Sequence, residues 1–457
     1  MIRGLTVCAA AIALTACGRS QKVDPSQQLG PNPVLPKPAE AIIMTDINLT
    51  KPVGWKSNEA PTVPPGFSIK AMATGLMSPR RVYALPNGDV LVVQALKEEK
   101  EPVDRVKNPF FDFIFGMAHG SSTKGPTNRI ALLRDANGDG VPELKSVLLD
   151  HLHSPFGIVL VGNDLYVAET DKLMRYSFTP GQTTITARGQ KVIDLPAGLI
   201  NHHWTKDLTA APDGSRLYVS VGSNSNVQER GPEAETGRAA IWEIDPKTSA
   251  YRLFATGLRN ANGLTFYPGS NTLWAVVNER DELGPNLVPD YMTSVRDGGF
   301  YGWPYSYYGR HVDPRVRPQQ PELVARAISP DYALSSHVAP LGLAFYTGTS
   351  FPPMFAGGAF VGEHGSWNRN QLNGYRVIFI RFAGGRPVGK PIDFVTGFLD
   401  DKGQARGRPV GVTIDRTGAL LIADDVGNTV WRVSYEGSGT QPGSAQGNLA
   451  PIRASNR

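Results

Sequence analysis

The chain has 457 residues, 41% hydrophobic and 19% charged, with 46 basic side chains against 41 acidic ones, a formal net charge of +5 and two cysteines. This length can bury a large core without covalent staples. The charge is mild and has no basic block, which argues against nucleic acid as a partner and reads as a slight bias toward anionic small molecules.

In chain order, residues 1–16 read as a lipoprotein signal peptide: Arg3, an apolar run of about ten residues, then Leu14-Thr15-Ala16-Cys17, a lipobox. Cleavage before Cys17 and lipidation of its sulfur would place the protein on the periplasmic face of a bacterial membrane, held by the lipid anchor only. A plain secretory signal cut elsewhere is the alternative. Both cysteines, Cys8 and Cys17, lie here, so no disulfide forms in the mature fold. Residues 17–64, with PNPVLPKP at 31–38, have the composition of a tether. Residues 438–457 are poor in apolar side chains and read as a disordered tail.

Between them, residues 65–437 repeat one pattern: a turn-like start, an alternating strand, a Gly- or Asp-bearing turn and a second strand of small and β-branched residues. Six copies stand at 78–93, 154–169, 203–221, 259–277, 339–363 and 408–424, several followed by a third strand such as NRIALLRD or NTVWRVSY. The predicted fold is all-β, a six-bladed β-propeller. The 49 glycines and 37 prolines suit its hairpins. An irregular pair of β-sandwiches is the competing architecture.

In a propeller the innermost strands all begin at one mouth of the central channel, so the residues starting each copy converge there. They include Arg80, Arg81, His151, His153, His202, His203, Arg259, Asn260, Asn262, His337, Arg406 and Arg408, among them five of the eight histidines. Guanidinium groups gathered from separate blades suit a planar polyanion, because each forms paired, charge-assisted bonds to a carboxylate. The alternative for each is a neighbouring aspartate or carbonyl. His202 and His203 point to opposite sides of an extended strand, which favours one acid–base histidine over a metal pair; a hydrogen-bonded core histidine is the other option. The segment 278–291, NERDELGPNLVPDY, offers hard oxygen ligands suited to calcium or is a solvated acidic loop. Residues 135–146 have the alternate-oxygen spacing of a calcium loop but carry Ser146 where a glutamate is expected; an Asx-rich turn is the alternative.

GLRNANG (257–263), ELGP (282–285), GGFYGWP (298–304), HVAPLGLAFY (337–346), GEHGSWNR (362–369) and RGRPVG (406–411), in this order and spacing, resemble the soluble pyrroloquinoline-quinone (PQQ)-dependent sugar dehydrogenases, most of all the L-sorbosone dehydrogenase group. The resemblance runs from about Pro65 to Tyr435. It implies PQQ lying over one mouth of the channel with a calcium ion beside it. By position, Arg259, Asn260, Asn262, Arg406 and Arg408 would hold the cofactor, Gly284 and Pro285 would offer main-chain oxygens to calcium, and His203 would be the general base. Hydride would pass from a sugar to the quinone, and electrons on to an external quinone or cytochrome. An aldehyde substrate such as sorbosone would react as its hydrate or cyclic hemiacetal. Departures from the glucose-oxidising members argue against glucose: His202 stands where they have an aspartate, and Ser335 replaces an aromatic while Tyr332 is retained, leaving His202 and Tyr332 as the expected substrate contacts. A cofactor-contacting lysine is absent, and Arg369 is its expected substitute. A calcium-dependent sugar-lactone hydrolase and a non-catalytic surface propeller are the alternative functions.

Overall fold

A computed structural model describes residues 23–39, 47–98, 125 and 127–437. The signal peptide, Cys17 and the tail expected at 438–457 lie outside the described residues.

Within each repeat an alternating segment reaches a turn whose side chains force reversal. In the last copy Asp415 Oδ1 accepts the Thr417 amide at 2.8 Å and Gly418 sits at φ +85°, so Pro409–Ile414 folds back onto Leu420–Asp424. Hairpins of this kind build the six blade sheets, antiparallel except for the edge strand Gly299–Phe300 that joins the third blade in parallel, with innermost strands Pro79–Ala84, Gly157–Val161, Leu208–Ala210, Ala261–Phe266, Pro340–Phe345 and Pro409–Ile414. Each inner strand adjoins the next, and the sixth adjoins the first, so the sheets close into the expected six-bladed propeller. Closure joins the chain's two ends: Phe67–Ala73 is the outermost strand of the sixth blade and pairs with Thr429–Tyr435, Phe67 opposite Tyr435. The one described α-helix, Pro321–Arg326, is a connector.

The core lies between blades. Between the fifth and sixth, Phe67 meets Phe351, Phe355 and Phe394 edge-on, with ring centroids 4.8 to 5.5 Å apart, the geometry aromatic quadrupoles favour. Inside the channel Phe156, Leu341 and Val410, from the second, fifth and sixth blades, meet in a small buried cluster. Just beyond it Arg81 of the first blade lies 3.5 Å from Asp207 at the start of the third. A cavity lined by the inner strands of all six blades lies deeper still.

The described parts of 17–64 do not lead away from the body as a tether would. Leu29–Gly30 adds a fifth strand to the fourth blade against Ala333 and Leu334, and Leu35 packs on the core beside it. Trp55 stands edge-on to Phe398 and Trp431 and donates to Asp424 at 2.7 Å. A few apolar side chains scattered among prolines suffice to seat the segment on the propeller's flank.

Candidate functional site

In an antiparallel blade the end of the second strand lies beside the start of the first: Pro340 pairs with Glu363, and Pro409 with Asp424. The mouth therefore receives two sets of residues. Strand starts bring Arg80, His203, Arg259, Asn260 and Arg408. Second-strand ends bring Gly222, Ser223, Asp281, His364 and Asp425.

His203 Nδ1 donates to the Ser223 carbonyl at 2.7 Å, which leaves Nε2 as the bare nitrogen. Burial, with Arg259 and His202 beside the ring, holds the imidazole well below its ordinary pKa of 6.5, so it is neutral. A Cβ at Gly222 would fall 2.5 Å from both His203 Cβ and Asn260 Oδ1; the missing side chain is what lets these two residues lie together. The Asn260 oxygen is buried without a hydrogen-bond partner.

Arg259 is nearly buried. It donates to the carbonyls of Asn226 and Glu279, to Asn226 Oδ1 at 3.1 Å and to Asp281 at 3.2 Å. Burial works against the Asp281 charge, but His337 and Arg259 hold its carboxyl below the usual range. Asp281 also accepts from Asn368 at 2.7 Å. His337 donates Nε2 to the Gly284 carbonyl at 3.1 Å, and Arg369 donates to Asn286 at 3.0 Å and to the Ser336 carbonyl. The turn expected to face calcium is thus anchored by a histidine and an arginine.

Across the mouth, Asp425 accepts from Arg80 at 2.7 Å and from His364 at 3.1 Å. Although burial pushes it up, His364, Arg80 and Arg408 hold the Asp425 carboxyl down to about 2. The Arg80 guanidinium lies 5.4 Å from the Trp204 ring and 5.9 Å from that of Phe156. Arg408 covers the Tyr375 ring at 5.2 Å and donates to Thr50 and Tyr375.

Of the expected site residues, His203, Arg259 and Asn260 are brought together, with the His202 ring 5.1 Å from that of His203, while Arg408 lies beside Asp425 and Arg369 beside Asn286. Others stand elsewhere. Asn262 is fully buried one step deeper in its strand, bonded to Thr205 and to the Asn260 carbonyl, so it supports Asn260 and does not line the mouth. Arg406 turns outward to Glu59 at 3.5 Å. Tyr332 is fully buried on the fourth strand of its blade, and its hydroxyl donates to the Gly389 carbonyl. It is a core residue, because an outer strand cannot reach the channel. In the 135–141 loop Asp135 accepts the amides of Gly138 and Gly140, and Asp139 that of Val141, as an Asx-rich turn does. Arg80 stands at a strand start, as the repeats predicted, whereas Asp281, His364 and Asp425 were not singled out from the sequence. The usable signal was the polar run after each second strand, as in ADD (423–425) and GEH (362–364).

A six-bladed propeller whose mouth gathers guanidiniums around a neutral histidine has the architecture of the PQQ-dependent sugar dehydrogenases. The profile of the TrAA12-like family matches residues 128–292 and 319–436, and the chain belongs to that family. A protein of Borreliella burgdorferi described only as uncharacterized is 30% identical over 295 residues, 62% of this chain and 76% of the relative. The pyrroloquinoline quinone-dependent pyranose dehydrogenase of Coprinopsis cinerea is 24% identical over 359 residues, 69% of this chain; the match spans only 44% of that relative's length. The holo PQQ domain of the Coprinopsis cinerea enzyme superposes with a TM-score of 0.66 at 20% identity, covering 85% of this chain and 100% of the domain. The family expected from the sequence is therefore the observed one; these relatives do not single out the sorbosone group.

Proposed function

We propose that this protein oxidises a sugar, an aldose or a sorbosone-like aldehyde in its hydrated or hemiacetal form, with PQQ as resident cofactor and an external quinone or cytochrome as final acceptor. The observation that carries this reading is His203. Its Nδ1 is committed to Ser223, its Nε2 is bare, and its ring is neutral beside Arg259 and Asn260.

The residues present fit a tricarboxylate quinone. Arg80 and Arg259 stand at strand starts paired to Asp425 and Asp281, Arg408 is near enough to Asp425 to lower its pKa, and Arg369 donates to Asn286 beside the 278–291 segment. The orphaned Asn260 oxygen is an acceptor awaiting a donor. Arg259, Asn260, Arg369 and Arg408 would hold the cofactor, which when bound supplies the two-electron acceptor. His203 Nε2 would take the hydroxyl proton, worth a factor of about 10² to 10⁴ for a placed base. His202 would meet the substrate at the rim. Among the described residues no three His, Cys, Asp or Glu side chains gather as a metal site, so calcium belongs to this proposal through the carbonyls of Gly284 and Pro285. Gly284's second lone pair is the one not used by His337. Calcium there would act as a Lewis acid on the bound quinone.

Cys17 lipidation and a periplasmic face complete the reading, and mass spectrometry of the mature N-terminus tests them. The decisive experiment supplies the protein with PQQ, with and without calcium, and follows dye reduction over a panel of aldoses and sorbosone. His203→Ala should lose about 10²-fold or more in rate while still taking up one equivalent of PQQ. Turnover that survives the substitution overturns the assignment.

A further inference from the structure

Residues 195–207, which carry His203, contain no strand or helix; the carbonyls of Lys206 and Asp207 accept the amides of Gly157 and Ser220, but those of Ala197, Asn201, His203 and Trp204 accept from side chains. Most of those side chains are basic. Arg238, itself buried, donates to the Ala197 carbonyl at 3.0 Å, to Asn201 Oδ1 at 3.0 Å and to the Gly222 carbonyl at 3.3 Å. Lys206 is fully buried, and its Nζ donates to the carbonyls of His203 at 3.4 Å and Trp204 at 3.3 Å. Thr170 adds a bond to the Trp204 carbonyl at 2.9 Å, and Lys97 one to that of Asn201 at 3.0 Å.

An amine buried with no carboxylate at ion-pair distance among the described residues is costly, burial and the charges of Arg238 and Lys97 hold its pKa well below the ordinary lysine value, and an apolar side chain would fill the same space more cheaply. What its N–H donors provide is direction: two consecutive carbonyls are turned toward one point, which fixes the backbone that presents the imidazole. Arg238 completes the clamp from the other side, because Gly222, whose carbonyl it binds, lies against His203 Cβ.

We propose that Lys206 and Arg238 are positioning residues for the oxidation, clamping the 197–204 loop by its carbonyls so that His203 Nε2 stands at a fixed place in the mouth. This rests on His203 being the base, so the test has one arm that does not need turnover. The charged and titratable groups bearing on the ring are Arg259, His202 and Arg238, with the Ser223 carbonyl on Nδ1.

In the first arm, ¹⁵N-histidine NMR on the cofactor-free protein follows the His203 imidazole. Arg238→Met removes a nearby positive charge, so the titration midpoint should move up. Lys206→Met should shift the ring nitrogen resonances as the Nδ1 bond to Ser223 loosens. In the second arm, on PQQ- and calcium-loaded protein, each variant should lower kcat about tenfold to a hundredfold with KM and PQQ uptake unchanged. Lys206→Gln and Arg238→Lys, which keep donors, should recover part of the loss and serve where the Met variants do not fold. In a His203→Ala background neither substitution should lower the residual rate further.

Folded variants with unchanged His203 resonances and kcat within twofold of the parent would overturn the proposal. So would an equal loss in the His203→Ala background, which marks a merely structural role. A parent inactive in the loaded assay would defeat the proposed function alone, and the NMR arm would still decide whether the clamp exists.

Discussion

A histidine works as a base only when neutral and with one nitrogen free, and the surroundings of His203 impose both conditions. Because burial and the Arg259 charge depress its folded pKa, the unfolded chain takes up a proton near pH 6.5 that the folded one refuses. Stability contributed by this group is therefore present above that pH and falls as pH drops below it. In the cofactor-free protein His203 should titrate below 6.5, by NMR; a midpoint at or above that value contradicts the described surroundings. His203, Arg259 and Arg408 were legible in the sequence because each begins a repeat. Asp281, His364 and Asp425 were not, because a reading of strand starts passes over the returning end of the second strand, which pairing brings to the same mouth. Tyr332 misled for the converse reason: a matching residue type said nothing of its place on an outer strand.

At the level of elements, the hairpins could be read directly, since an Asp-Arg-Thr-Gly turn such as 415–418 fixes its own reversal within a few residues. The closing strand could not. Phe67–Ala73 alternates like any edge strand, and its partner lies at the other end of the chain. Trp55 and Leu29 were hidden for the same reason, their contacts being distant and their neighbours those of a linker. If the ring is locked by this strand, Phe67→Ala should cost about 3 kcal/mol. The lowered urea midpoint that follows should be accompanied by earlier proteolysis near both ends of the propeller. A loss no larger than that of an exposed aromatic would show that the fifth and sixth blades hold without it.

For the whole molecule, the six-fold repeat predicted the ring but not the contacts that block its bore. Phe156, Leu341 and Val410 seal it beneath the mouth, and Arg81 with Asp207 bars it again just below. Among the described residues, the basin therefore opens on the side of the mouth and not through the bore. On the proposed reading, the sugar and the molecule that later collects its electrons must use that threshold in turn, the oxidised sugar leaving before the collector comes in. Steady-state rates measured against both partners should then give parallel double-reciprocal lines, the signature of a turnstile; intersecting lines would mean that the two can stand in the doorway together.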